Sequence, residues 1–174
     1  TLAAMKRRGI YATLDLFINR SANLWPVKGF EGQRVDRGSH KALIWGEEGF
    51  RRQFLDFARG LMTHRNPYTG MTWGEDPSIV NVDCVNEDAV AWTTTCAQAK
   101  PVYERHFETW LRAQDIASDE RAADRDRLWR AFLCDFYPKS FRQTESALRE
   151  MGVRHLLTDQ NHGTSLLGIV TREP

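Results

Sequence analysis

In the stretch Asp76-Pro77-Ser78-Ile79-Val80-Asn81-Val82-Asp83-Cys84-Val85-Asn86-Glu87-Asp88, Asp76-Pro77 introduces a run rich in β-branched residues, and the run ends on three polar ones. Ser78 to Val85 therefore reads as a strand that delivers Asn86, Glu87 and Asp88 at its C-terminal end. Two similar runs flank it. Upstream, Ile10-Tyr11-Ala12-Thr13-Leu14-Asp15-Leu16-Phe17 is nearly apolar on both faces, as a buried parallel strand should be. Downstream, Val153-Arg154-His155-Leu156-Leu157-Thr158-Asp159 forms a third. Gly9 and Gly152 each close a helical pattern just before a strand, Leu2 to Arg8 in the first case and Phe141, Ala147, Leu148 and Met151 in the second.

Helical spacing fills the intervals. Phe50, Phe54, Phe57, Ala58, Leu61 and Met62 make one apolar face, ending at the turn His64-Arg65-Asn66-Pro67-Tyr68-Thr69-Gly70. Val102, Tyr103, Phe107, Trp110 and Leu111 make another, and Leu128, Phe132, Leu133 and Phe136 a third, with Ser118-Asp119-Glu120 as an N-cap between them. Pro138 is expected to open a separate helix. Residues 19 to about 48, broken by Pro26, Gly29, Gly32 and Gly38, read as a long irregular loop, a kind that is commonly functional. The signature is βαβαβ, which specifies an α/β fold: a parallel sheet, outer helices, and all strand C-termini on one face. Asn19 and Arg20, then Asn86 to Asp88, then Asp159, Gln160, Asn161 and His162 gather at that face, the ligand end of such folds.

The chain has 174 residues, 41% of them hydrophobic, enough for one domain with its own core. Its 24 basic and 23 acidic residues are interspersed, so no basic stripe is available for a nucleic acid. Cys84, Cys96 and Cys134 lack metal-ligand or disulfide spacing and read as small buried residues, and no metal or other cofactor is implied. No apolar run has the length of a membrane span, and Thr1 to Arg8 lacks the apolar core of a signal peptide. The chain opens on a helix C-terminus, and its apolar run Leu166-Leu167-Gly168-Ile169-Val170 has nothing after it to pack on, so both ends read as cut. No Gly-x-Gly-x-x-Gly or Gly-Lys-Ser/Thr follows a strand, which disfavours a nucleotide-binding open sheet. A (β/α)8 barrel typically needs about 250 residues, so the expectation is one partial TIM-barrel domain over residues 1–174.

From Ser78 to Glu87 the chain resembles the fourth barrel strand of clan A glycoside hydrolases, the cellulase and β-galactosidase-like superfamily. Phe54-Leu55-Asp56-Phe57-Ala58-Arg59-Gly60-Leu61-Met62-Thr63 with the turn His64 to Gly70 is similar to the helix and turn before that strand in bacterial cellulase-like hydrolases. The likeness continues through Trp110-Leu111 and Leu148-Arg149-Glu150-Met151-Gly152-Val153, so the three strands would be the third, fourth and fifth of eight. The resemblance implies a retaining hydrolase of β-linked glycans or glycosides. Glu87 would be its acid/base, Asn86 would bind the sugar 2-hydroxyl, and a nucleophile would come from a seventh strand beyond the chain. A general acid stays protonated through partial burial or a neighbouring carboxylate, and that nucleophile would be the neighbour.

Taken by itself, a Glu at a strand end is more often a solvated or ion-paired loop residue than a catalyst. Asn161 and His162 could line a sugar subsite or satisfy turn backbone. Trp25, Trp45 and Trp73 could stack on sugar or anchor loops, whereas Trp110 and Trp129 read as core. Asp15 reads as a hydrogen-bonded interior residue. The same three strands also fit a catalytically inactive carbohydrate-binding barrel; a Glu ending the seventh strand would separate the two.

Overall fold

The computed structural model describes residues 1–18, 27–87, 93–116 and 123–160. Helix α1 (Leu2–Lys6) ends in a turn where Gly9 takes φ +68°, a left-handed conformation that glycine adopts without a Cβ clash. Strand β1 (Ala12–Asp15) follows, then α2 (Arg37–Gly46), α3 (Glu48–Met62) and β2 (Ile79–Val85). Helices α4 (Lys100–Ala113) and α5 (Arg125–Glu150) lead to β3 (Leu156–Gln160). The strands form one parallel sheet in the order β1-β2-β3, so the fold is α/β, as the alternation of patterns specifies.

Register separates the two faces of the sheet. Leu14, Val82 and Leu157 lie side by side across the strands and join the apolar core with Phe54 and Met62 of α3, Phe107 of α4 and Leu148 of α5. The alternate row is Thr13, Asn81 and Leu156, and it is open enough that Leu156 is 73% exposed. Strand β1 is therefore not buried on both faces as expected; Tyr11 and Thr13 are exposed. Core residues such as Tyr103, Phe107 and Phe132 are fully enclosed, each contributing roughly 1.5–3 kcal/mol by leaving water.

The expected loop from residue 19 to about 48 contains α2. Asp36 caps that helix, its carboxylate accepting the Ser39 N–H at 2.9 Å, and every residue from Ser39 to Gly46 is buried. Its polar residues Ser39, His40 and Lys41 are buried along with Ala42 to Trp45, so burial here does not follow residue polarity, the rule by which helix faces are read. Trp45 thus belongs to the core rather than to a sugar-stacking loop. The second difference is Pro138, which lies inside α5 and opens no new helix. Proline cannot donate to the carbonyl four residues back, but tertiary contacts outweigh that loss. Tyr137 and Phe141 pack on Trp45 with ring centroids at 5.5 and 6.2 Å, and the Ser140 hydroxyl donates to the Trp45 carbonyl at 2.6 Å. Cys84 is buried as expected, whereas Cys96 and Cys134 are half-buried.

The Asn-Pro-Tyr-Thr-Gly turn forms around Asn66. Its side-chain oxygen accepts the Tyr68 N–H at 3.0 Å, its carbonyl accepts the Gly70 N–H at 2.8 Å, and Gly70 takes φ +68°. Trp73 anchors the return from this turn: its N–H donates to the His64 carbonyl, and its own carbonyl meets the His155 imidazole at 2.8 Å. Both contacts lie at the N-terminal end of the sheet, so Trp73 fastens a loop there. Trp110 and Trp129 pack half-buried against the core. No helix among the described residues is long and apolar enough to cross a membrane.

Candidate active site at the end of β2

Pairing between β1 and β2 continues past the ends of both strands. The Leu16 N–H donates to the Asp83 carbonyl at 2.8 Å, and the Asn86 N–H donates to the Phe17 carbonyl at 2.9 Å. Helix α2 sits on these ends. The His40 ring meets Phe17 edge-on at 4.7 Å and Phe50 at 5.2 Å, and the Lys41 ammonium donates to the Asn86 carbonyl. Both backbone groups of Asn86 are therefore held, one by the neighbouring strand and one by α2. Asn86 is half-buried and Glu87 is exposed.

Glu87 has φ +52°, a left-handed conformation that costs a non-glycine residue about 1–2 kcal/mol. Lys41 is 1% exposed, among the most enclosed side chains of the chain. A hydrogen bond from a charged donor contributes about 1.5–3 kcal/mol, enough to hold the peptide that leads into Glu87. The consequence is an exposed carboxyl group on a held stem at the C-terminal edge of a parallel strand.

A polar row crosses the open face of the sheet beneath this corner. Asp15, Asp83 and Thr158 are in register on adjacent strands. The Thr158 hydroxyl donates to the Asp83 carboxylate, and the Asn81 amide donates to Thr158 at 3.4 Å. Asp83 is buried, whereas Asp15, expected to be hydrogen-bonded, makes no side-chain hydrogen bond among the described residues. Thr158 lies on β3, two strands away from Asp15 on β1, with Asp83 of β2 between them.

Glu87 and Asn86 stand together where the sequence places them. Asn161 and His162 lie outside the described residues, as do Asn19, Arg20, Trp25 and Asp88. Lys41 is the residue that sequence reasoning missed. Its signal was a lysine set against the apolar run Ala42-Leu43-Ile44-Trp45, downstream of the capping Asp36. A groove of about 470 Å³ opens elsewhere, between Val27-Lys28 and the first turns of α3. It is lined by Glu47, Glu48, Arg52 and Asp56 but not by Asn86 or Glu87, and its Arg52 is already paired with Glu48 at 2.7 Å. Among the described residues no three His, Cys, Asp or Glu side chains group so as to hold a metal ion. The chain matches no protein-family model, no curated protein and no solved structure.

Proposed function

We propose that residues 1–174 are the part of a retaining glycoside hydrolase that carries its acid/base, Glu87, on the third to fifth strands of a (β/α)8 barrel. The observation that carries this reading is the Asn86-Glu87 pair held at the C-terminal end of a parallel strand. Two features support it further: strand order follows chain order without reversal, as in a barrel sector, and the residues flanking β2 resemble clan A hydrolases. In the first step the Glu87 carboxyl proton passes to the glycosidic oxygen while a carboxylate from outside residues 1–174 attacks the anomeric carbon. The bond from that carbon to the leaving oxygen breaks, and a glycosyl ester forms. In the second step the Glu87 carboxylate takes a proton from water. The resulting oxygen attacks the same carbon, the ester bond breaks, and both carboxyl groups return to their starting states. Asn86 would hydrogen-bond the sugar 2-hydroxyl, and the substrate class is a β-linked glycan or glycoside.

The test uses the protein at its full natural length and a panel of phenyl and dinitrophenyl β-glucosides, β-mannosides and β-cellobiosides. Glu87→Ala should lower kcat/KM on the phenyl substrates by roughly 10²–10⁴-fold, the usual contribution of a positioned acid. Dinitrophenolate leaves without a proton, so those substrates should lose far less. Unchanged turnover of the phenyl substrates would sink the proposal.

A further inference from the structure

We infer that Lys41 is a positioning residue for Glu87: a buried ammonium that grips the Asn86-Glu87 peptide and keeps the Glu87 carboxyl group aimed at the ligand. This inference rests on the acid/base reading of Glu87. Lysine is almost never fully enclosed without a polar task, and Lys41 is 1% exposed, with its ammonium on the Asn86 carbonyl. That carbonyl shares a rigid plane with the Glu87 N–H. Holding the oxygen therefore fixes the axis about which Glu87 turns, and φ +52° sets the direction of its side chain from that axis.

Release of the carbonyl has a defined consequence. The peptide can then turn about the Asn86 Cα–C bond, which carries the Glu87 Cα and its side chain with it. The same rotation swings the carboxyl group away from where it points now. Asn86 is also tied through its N–H to the Phe17 carbonyl, but that bond lies on the preceding peptide plane and does not resist the rotation. Lys41 does. Helix α2 supplies a stable base, because Asp36 caps it and Leu43, Ile44 and Trp45 are wholly buried.

A lysine that only glues α2 to the sheet would, when replaced, lower activity equally on all substrates. A lysine that aims the acid would lower it according to how much the leaving group needs a proton. In the full-length protein, Lys41→Met should therefore lower kcat/KM on phenyl β-glycosides at least about tenfold more than on their dinitrophenyl counterparts, a part of the acid's full effect. The ratio is taken within one preparation, so the fraction of folded enzyme cancels. Should Lys41→Met fail to fold, Lys41→Gln, which keeps a donor on a shorter arm, is held to the same criterion. Equal losses on both substrates, or no loss, overturn the inference. Glu87→Ala is run alongside with azide, a nucleophile that needs no base. If Glu87→Ala shows leaving-group selectivity and azide-driven turnover while the Lys41 variant shows no selectivity, the Lys41 role alone falls. If Glu87→Ala shows neither, the acid/base reading falls with it.

Discussion

Asp76 ties together two elements far apart in the chain. One of its carboxylate oxygens accepts the Lys6 ammonium at 2.8 Å, the Ser78 N–H at 3.0 Å and the Ser78 hydroxyl at 2.8 Å. The Asp76 side chain is 5% exposed and that of Lys6 is 31% exposed. Burial pushes the Asp76 pKa up, but the hydrogen bonds from Lys6 and Ser78 and the Lys6 charge outweigh burial, so the net displacement is downward. A carboxyl whose pKa is lower folded than unfolded contributes its full stability above the unfolded value, about 4. The contribution is lost as pH falls through the folded value. Asp76→Asn keeps an oxygen for the Ser78 N–H but removes the charge. At pH 7 it should cost about 1–2 kcal/mol, the lower part of the range for charged hydrogen bonds, because Lys6 can turn to water. Asp76→Ala also strands the buried Ser78 donors and should cost about 2–4 kcal/mol. Urea unfolding of wild type and both variants at several pH values reads these differences as midpoint shifts at constant slope. The wild-type advantage over Asp76→Asn should shrink steadily below about pH 4. An advantage that is the same at neutral and strongly acid pH, or an Asp76→Ala cost no larger than that of Asp76→Asn, would refute the reasoning.

Three further outcomes are expected. Gly46→Ala would put a methyl carbon 2.8 Å from Cε2 of the enclosed Tyr103, whose hydroxyl donates to the Ala42 carbonyl at 2.7 Å; thermal unfolding should show a loss of about 1–3 kcal/mol despite alanine's helix preference. Asp36→Ala removes the cap of α2 and should cost about 1 kcal/mol by the same measurement, with no change counting against the capping role. Glu87→Gly should be more stable than Glu87→Ala by about 0.5–1 kcal/mol, the left-handed strain less the added chain entropy of glycine; equal stabilities would mean that φ +52° is not held at a cost.

The sheet was legible because its strands are short runs of β-branched residues bounded by turn chemistry, and that information is local. Gly9 and Gly152 mark helix ends through their own backbone freedom, at φ +68° and +91°, and Asp76-Pro77 marks the entrance of β2. Where the reading failed, the deciding contact was distant. Pro138 breaks a helix on local grounds, yet α5 runs through it because Trp45, far away in sequence, packs on both sides of it. Helix α2 was hidden for a related reason: its burial comes from α3, α4 and α5 together, and a segment enclosed by others need not alternate polar with apolar.

The candidate site divides along the same line. That Glu87 ends a strand follows from its neighbours in sequence; that it sits in a left-handed turn over a buried lysine does not, because Lys41 and Asn86 are 45 residues apart and meet only through α2. Each feature alone breaks a rule of economical folding. Asparagine or glycine would take φ +52° with less strain, and methionine would fill the place of Lys41 without burying a charge. That both exceptions fall on one peptide bond is informative. Local departures from the most stable choice gather where a geometry is being held for use, and this coincidence is what leads us to propose that the direction of the Glu87 carboxyl group is the geometry held here.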